Sequence, residues 1–242
     1  MQSKIFRSII CPGVIAAVAM SLAASAAQAS FVVQFEANGG PISSFTGSGG
    51  YISESNVSVG TFDITTYDAA SNSGSSNTPQ ISAISVGVKN TDTTAGPDIL
   101  AINLWDTGFL PPGSPLTLAG SGSVTFNAAV SGDSATYGSG ADPADGQFSL
   151  TSGPPPVQTA SSTATYNGGN LPETLPLNRQ TAIFSPNGTN PFSMGNNLEL
   201  SLAGGSNVTL SYTTTAPEPA TLALLAVGGL GLLLKRRRKA IA

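Results

Sequence analysis

The chain has 242 residues, a formal net charge of −4 and only 9% charged residues. It contains no histidine and a single cysteine, Cys11. Ser-His-Asp triads are therefore excluded, and beyond the first 29 residues so are disulfides, cysteine nucleophiles and zinc or copper centres built on His or Cys.

Lys4 and Arg7 form a small basic region, an apolar run follows from Ile9 through Leu22, and Ala27-Gln28-Ala29 supplies the small-residue pattern read by signal peptidase. Residues 1–29 are expected to be a signal peptide that engages the export machinery, with cleavage between Ala29 and Ser30. The body that follows, Ser30 to Ala216, has 187 residues, enough for one domain with a sizeable core. Only two bases, Lys89 and Arg179, lie in it against twelve acids, so the body carries −10 although the whole chain shows −4. Such a charge repels nucleic acid phosphates, and no nucleic acid partner is expected.

Along the body, short runs with apolar or alternating residues are separated by Gly, Pro, Asn and Ser clusters. Strands are expected over Phe31–Glu36, Tyr51–Ser55, Gly60–Tyr67, Ile81–Lys89, Ile99–Trp105, Leu116–Leu118, Ser123–Val130, Gln147–Leu150, Ala160–Tyr166 and Thr181–Phe184. Ile84, Val86 and Val88 are expected on one face, and Ile99–Trp105, apolar on both faces, in the middle of a sheet. Leu198–Leu202 and Val208–Tyr212 alternate strictly around Gly204-Gly205 and read as a hairpin. Ser131–Asp145 reads as a Gly-rich loop. No segment shows helical periodicity. The expected fold is all-β, a single β-sandwich over residues 30–212, the jelly roll being one such arrangement, with 213–216 as a spacer.

Several residues are candidates for chemistry. Asp133, Asp142 and Asp145 sit in Gly-rich sequence and offer hard oxygen ligands of the kind Ca²⁺ takes, with Asp92 and Asp98 as a second set. Their spacing matches neither an EF-hand nor a repeated calcium nonapeptide, and turn-forming roles are expected for them; no metal or cofactor is expected. Trp105 with Phe109 is a candidate sugar-stacking platform, against an ordinary core role. Two carboxylates suffice for glycoside hydrolysis, but nothing local selects a pair among twelve acids. Leu171-Pro172-Glu173-Thr174-Leu175 resembles the LPxTG signal of sortases but has Leu175 where that signal needs glycine, and reads as a Pro-bounded loop.

The C-terminus is the most specific feature. Pro217-Glu218-Pro219 precedes an uncharged apolar segment, Ala220 to Leu234, and then Lys235, Arg236, Arg237, Arg238 and Lys239. As a helix the apolar segment is expected to span about 22 Å at ~1.5 Å per residue, short of a hydrocarbon core of about 30 Å. The bases favour the cytoplasmic side. The three parts in this order resemble the PEP-CTERM sorting signal. That resemblance, confined to residues 217–239, implies recognition by an exosortase, a membrane-embedded transpeptidase or protease of Gram-negative bacteria. It also implies processing near the Pro-Glu-Pro triplet after transient inner-membrane anchoring, and a link to exopolysaccharide. The expected function is that of a non-enzymatic surface or matrix protein acting in adhesion or exopolysaccharide-associated structure; the alternative is a secreted carbohydrate-binding or carbohydrate-active protein using Asp or Glu.

The N-terminal pattern makes a direct prediction. N-terminal sequencing of the exported protein should begin at Ser30, and replacing Ala27 and Ala29 with a bulky residue such as Phe should leave precursor still carrying Met1. An exported form that starts elsewhere would show that the small-residue site is not used.

Overall fold

Fourteen strands and no helix occur among the residues that the computed structural model describes, 30–74, 78–94, 96–150 and 155–217. The signal segment and the apolar segment 220–234 lie outside them. One sheet has the order β10 (Val157–Gln158), β9 (Ser134–Asp142), β13 (Phe192–Ala203), β7 (Pro97–Phe109), β1 (Val32–Ala37), β2 (Ser43–Thr46), with β11 (Ser162–Thr165) also paired to β9. The other has the order β12 (Glu173–Phe184), β8 (Leu116–Ala128), β14 (Asn207–Thr215), β6 (Gln80–Asn90), β5 (Phe62–Ser71), β3 (Tyr51–Glu54), with β4 (Val57–Val59) also paired to β5. All pairings are antiparallel.

Eight of these strands form a jelly roll. Numbered along the chain as β6, β7, β8, β9, β11, β12, β13 and β14, they stand in the order 1-8-3-6 in one sheet and 2-7-4-5 in the other. The N-terminal strands β1 and β2 extend the first sheet beyond β7, and β3 to β5 extend the second beyond β6. Alternation along each strand explains the layering. Leu100, Ile102 and Leu104 on β7 and Leu198, Leu200 and Leu202 on β13 turn inward, where they form one cluster with Val86 and Val88 on β6, Val124 and Phe126 on β8, and Val208 and Leu210 on β14. Full burial of each such side chain contributes about 1.5–3 kcal/mol. Phe35 meets Tyr67 edge-on across the core at 5.2 Å.

The expected all-β sandwich is what the chain forms, but several details differ. β13 and β14 are not a hairpin: they belong to opposite sheets, and Gly204-Gly205 arches over the end of the core. Asn90 holds that arch, its Nδ2 donating to Leu202 O at 2.8 Å, its N to Ser206 O at 2.9 Å, and its carbonyl accepting from Gly205 N at 3.0 Å. A hairpin and an arch both place turn residues between alternating runs, so local pattern does not separate them. Ile84 is not in the row of Val86 and Val88: the β6 register shifts against both neighbours near Ala83–Ser85, the inward set changes from Ile81 and Ala83 to Val86 and Val88, and Ile84 is left 56% exposed. Ser134–Asp142 within the expected loop is strand β9, and Gln147–Leu150 is no strand. Leu116–Leu118 and Ser123–Val130 are one strand, and β12 begins at Glu173, inside the expected Pro-bounded loop; Pro176 is tolerated there because β12 pairs only with β8 and forms an edge. The expected spacer 213–216 is folded: β14 runs to Thr215 and Ala216 is fully buried.

A polar knot sits between the sheets. The Tyr137 hydroxyl lies 2.9 Å from Ser139 Oγ, 2.8 Å from Thr214 Oγ1 and 3.0 Å from the Thr213 carbonyl, and Thr214 Oγ1 donates to Asn196 Oδ1. Gly120 makes room for it, because a Cβ there would fall 2.0 Å from Ser139 Oγ. Burial pushes the Tyr137 hydroxyl up to about 12 and raises Tyr212 and Tyr67 as well, Tyr67 with a further push from Tyr212. A phenol with a raised folded pKa contributes stability that is complete below its unfolded value of about 10 and is lost as pH rises through the folded value. The melting temperature should therefore fall steeply above about pH 10, and the tyrosinate absorbance of these three rings should appear together with unfolding. Titration of all tyrosines near pH 10 in the intact fold would contradict this burial.

Candidate functional site

The outward face of the β9–β13–β7–β1 sheet is organised by the same register that builds the core. Three cross-strand rows lie side by side. The first is Gly140, Gly195, Trp105 and Val32; the second Gly138, Asn197, Asn103 and Gln34; the third Thr136, Glu199, Ala101 and Glu36. The first row is roofed. Phe148 packs on Val32 and Trp105 in a small cluster separate from the main core. Glycine is required beneath this roof: a Cβ on Gly195 would lie 2.8 Å from Phe148 Cδ2, and one on Gly140 would lie 2.1 Å from Pro155 Cγ.

The second row stays open and floors a groove of about 400 Å³, within the ~300–1,000 Å³ usual for small-molecule clefts. Phe148, Leu150 and Pro155 border it, as do the polar Gln158, Thr159 and Ser161. The Leu150 N–H donates to Gln34 Oε1 at 3.1 Å, tying the roofing segment to the end of the carboxamide row. Asn103 is 8% exposed, and Asn197 and Glu199 are exposed.

The sequence-derived candidates are placed elsewhere. Trp105 is buried on the outer side of the sheet under Phe148, with its indole N–H unpartnered, and Phe109 is in the main core against Phe192. Neither offers a ring to solvent. Asp133 is not a loop ligand but part of the arch: it accepts from Val130 N at 2.8 Å, Ala203 N at 2.7 Å and Ser206 Oγ at 2.6 Å. Asp142 accepts from Ala144 N and Asp145, at φ 60°, from Gly108 N, each at 2.8 Å. Asp92 accepts from the N–H groups of Thr93 and Thr94 and from the Thr94 hydroxyl, and these bonds, the hydroxyl first, hold it below the usual carboxylate range. Asp98 accepts from Asn38 Nδ2 at 2.8 Å and Asn90 Nδ2 at 3.0 Å. Among the described residues no group of three or more His, Cys, Asp or Glu is placed to hold a metal ion.

The residues that do line the groove carry no recognisable motif. Asn103, Asn197 and Gly138 are 94 positions apart at the extremes of their adjacent strands, or fewer, in a chain rich in Asn and Gly, and only the pairing of β9, β13 and β7 brings them into one row.

At the other end of the molecule, Ala216 N donates to Pro79 O at 3.0 Å and Thr117 N donates to Pro217 O at 3.1 Å, so the fold is ordered up to the Pro-Glu-Pro triplet. Residues 215–239 match the PEP-CTERM protein-sorting motif. The chain carries a PEP-CTERM sorting motif. This PEP-CTERM segment overlaps the last residue of β14. No curated protein matches the chain. Among solved structures it is similar to a chain described in work on the structural basis for the promiscuous specificity of carbohydrate-binding modules from the β-sandwich superfamily, at 13% identity, covering 76% of this chain and 82% of that one with a TM-score of 0.29. A TM-score of 0.29 carries no weight in assigning a ligand.

Asp106 marks the least satisfied spot near the acidic turn. It is fully buried; Oδ1 accepts from Thr107 N at 2.8 Å, while Oδ2 has no partner among the described residues. Burial raises its pKa, Ser71 and Ser73 lower it in part, and Asp145 adds a smaller upward push. Such a carboxyl favours the fold when protonated: its contribution is full below the unfolded pKa and is lost as pH rises through the folded one. Asp106→Asn should therefore raise the melting temperature at pH 7 by about 2–4 °C, with the gain shrinking as pH falls toward ~4. Differential scanning calorimetry across that range checks this; a lower melting temperature at pH 7 would mean that the carboxylate has a partner.

Proposed function

We propose that this chain is a non-enzymatic exported protein, processed at its C-terminal tail by an exosortase-like membrane enzyme of a Gram-negative-type cell and delivered to the cell surface or extracellular matrix, where its β body associates with exopolysaccharide. The observation that carries this is the PEP-CTERM motif over residues 215–239, which adjoins a folded all-β body. The N-terminal signal pattern agrees with it in direction, since a cleaved leader and a basic C-terminal end put the body on the same, exported side.

The non-enzymatic part is supported by side-chain chemistry. Histidine and cysteine are missing from the body. Among the described residues Glu199 is the one carboxylate lining the groove, which offers no second acid there for a two-carboxylate mechanism. Asp133 and Asp98, two of the acids singled out by sequence, are occupied with backbone or amide donors.

Replacing Pro217 and Glu218 with Ala should slow tail processing by roughly tenfold or more, the scale of losing ~1.4 kcal/mol of recognition, and leave precursor in the inner membrane. Because the Thr117 bond goes to the Pro217 carbonyl, the fold itself should be unaffected. Intact mass spectrometry of the surface form decides: a mature species that still carries Lys235 to Lys239 means that the segment is a plain anchor.

A further inference from the structure

We propose that the groove on the β9–β13–β7 face binds an uncharged glycan chain, laid across the carboxamide row of Asn197 and Asn103; this deepens, and rests on, the exopolysaccharide association proposed above. Four observations carry it. First, the row presents the right kind of polar group. Each side-chain amide offers both donors and an acceptor, matching a sugar hydroxyl, which also does both. Adjacent strands are ~4.8 Å apart, close to the length of one pyranose unit along an extended glycan.

Second, the amides lack partners. Among the described residues, neither Asn103 nor Asn197 has a side-chain hydrogen bond to protein, although Asn103 is 8% exposed. Buried polar groups are ordinarily satisfied, so Asn103, nearly buried and with no protein partner for its amide, favours a polar occupant of the groove.

Third, the groove has room at the sheet itself. A Cβ built on Gly138 meets nothing within 4 Å, unlike those on Gly140 and Gly195, which would collide with the roofing residues. The bare backbone at Gly138 leaves space for a ring on the floor of a groove whose lining is both apolar, at Leu150 and Pro155, and polar, at Gln158 and Ser161.

Fourth, charge selects among glycans. The only two bases of the body, Lys89 and Arg179, are on β6 and β12 of the opposite sheet. The groove therefore has no cation, Glu199 stands at its border, and the body around it is strongly acidic. Uronate, sulfate or phosphate groups would be repelled. A peptide bound by strand addition is disfavoured on the floor itself, because β9, β13 and β7 are each paired on both sides.

The test uses the exported protein and isothermal titration calorimetry with cellohexaose, maltohexaose and mannohexaose as neutral probes and a galacturonic acid hexamer as the acidic one. At least one neutral hexamer should bind and the acidic one should not. Gly138→Trp should abolish binding by filling the floor. Asn103→Ala and Asn197→Ala should each weaken it roughly three- to tenfold, the loss of one or two hydrogen bonds, with melting temperatures unchanged for Asn197→Ala. Preference for the acidic hexamer, no binding of any neutral probe, or full affinity in Gly138→Trp and Asn197→Ala overturns the proposal. Cofractionation with exopolysaccharide from the producing cells is followed in parallel. If wild type and Gly138→Trp both cofractionate, the groove is wrong while the association stands; if neither does, the association itself fails.

Discussion

Face-to-face burial between two antiparallel sheets holds this body together, because the chain leaves it few other means. With no cysteine after Cys11 there is no disulfide, with two bases there is little to pair with twelve acids, and no helix occurs among the described residues. Stability rests on inward rows such as Leu100, Ile102 and Leu104 against Val208 and Leu210, and on the aromatic residues between them. A one-residue slip in any of these strands would send its apolar set to solvent. Register is therefore strongly specified, and the outward face inherits that precision without contributing to it.

The groove is a consequence of that inheritance. Asn197 and Asn103 face outward because Leu198 and Ile102 face inward, and they stand opposite one another because β13 and β7 are paired through the core. The glycines divide the same surface into two parts. At Gly140 and Gly195 the missing side chains admit Pro155 and Phe148, which roof Trp105; at Gly138 the missing side chain leaves space. Composition that looks like loop sequence is thus the floor and ceiling of one feature on strands.

The junction with the tail has a similar logic. β14 is an interior strand, between β8 and β6, and its neighbours keep it ordered to the Pro217 carbonyl. Only Glu218 and Pro219 separate that carbonyl's residue from the apolar segment at Ala220, at most about 7 Å of extended chain. On the sorting mechanism proposed for this chain, the folded body and the processing site are close neighbours in sequence.

Composition and alternation by themselves determined the class of this protein: an acidic, cysteine-free all-β body followed by a sorting motif, whose Pro-Glu-Pro, apolar and basic order over residues 217–239 is legible because it is contiguous. They also located the middle strand Ile99–Trp105, whose inward face is core and whose outward face is covered by Phe148 at Trp105 while Ile99 stays exposed. What they left open is everything that depends on partners distant in sequence. Leu198–Leu202 and Val208–Tyr212 have the pattern of a hairpin, yet only the packing of both sheets sends them apart over the Asn90 arch. Ser134–Asp142 has the residues of a turn and becomes a strand because β13 and β11 supply its hydrogen bonds. Asp133 reads as a turn residue and is also an anchor for Ala203 and Ser206, some seventy residues away. The candidate site was illegible for the same reason: its amides come from different strands, and cross-strand register is set by tertiary burial, which no local window of sequence contains.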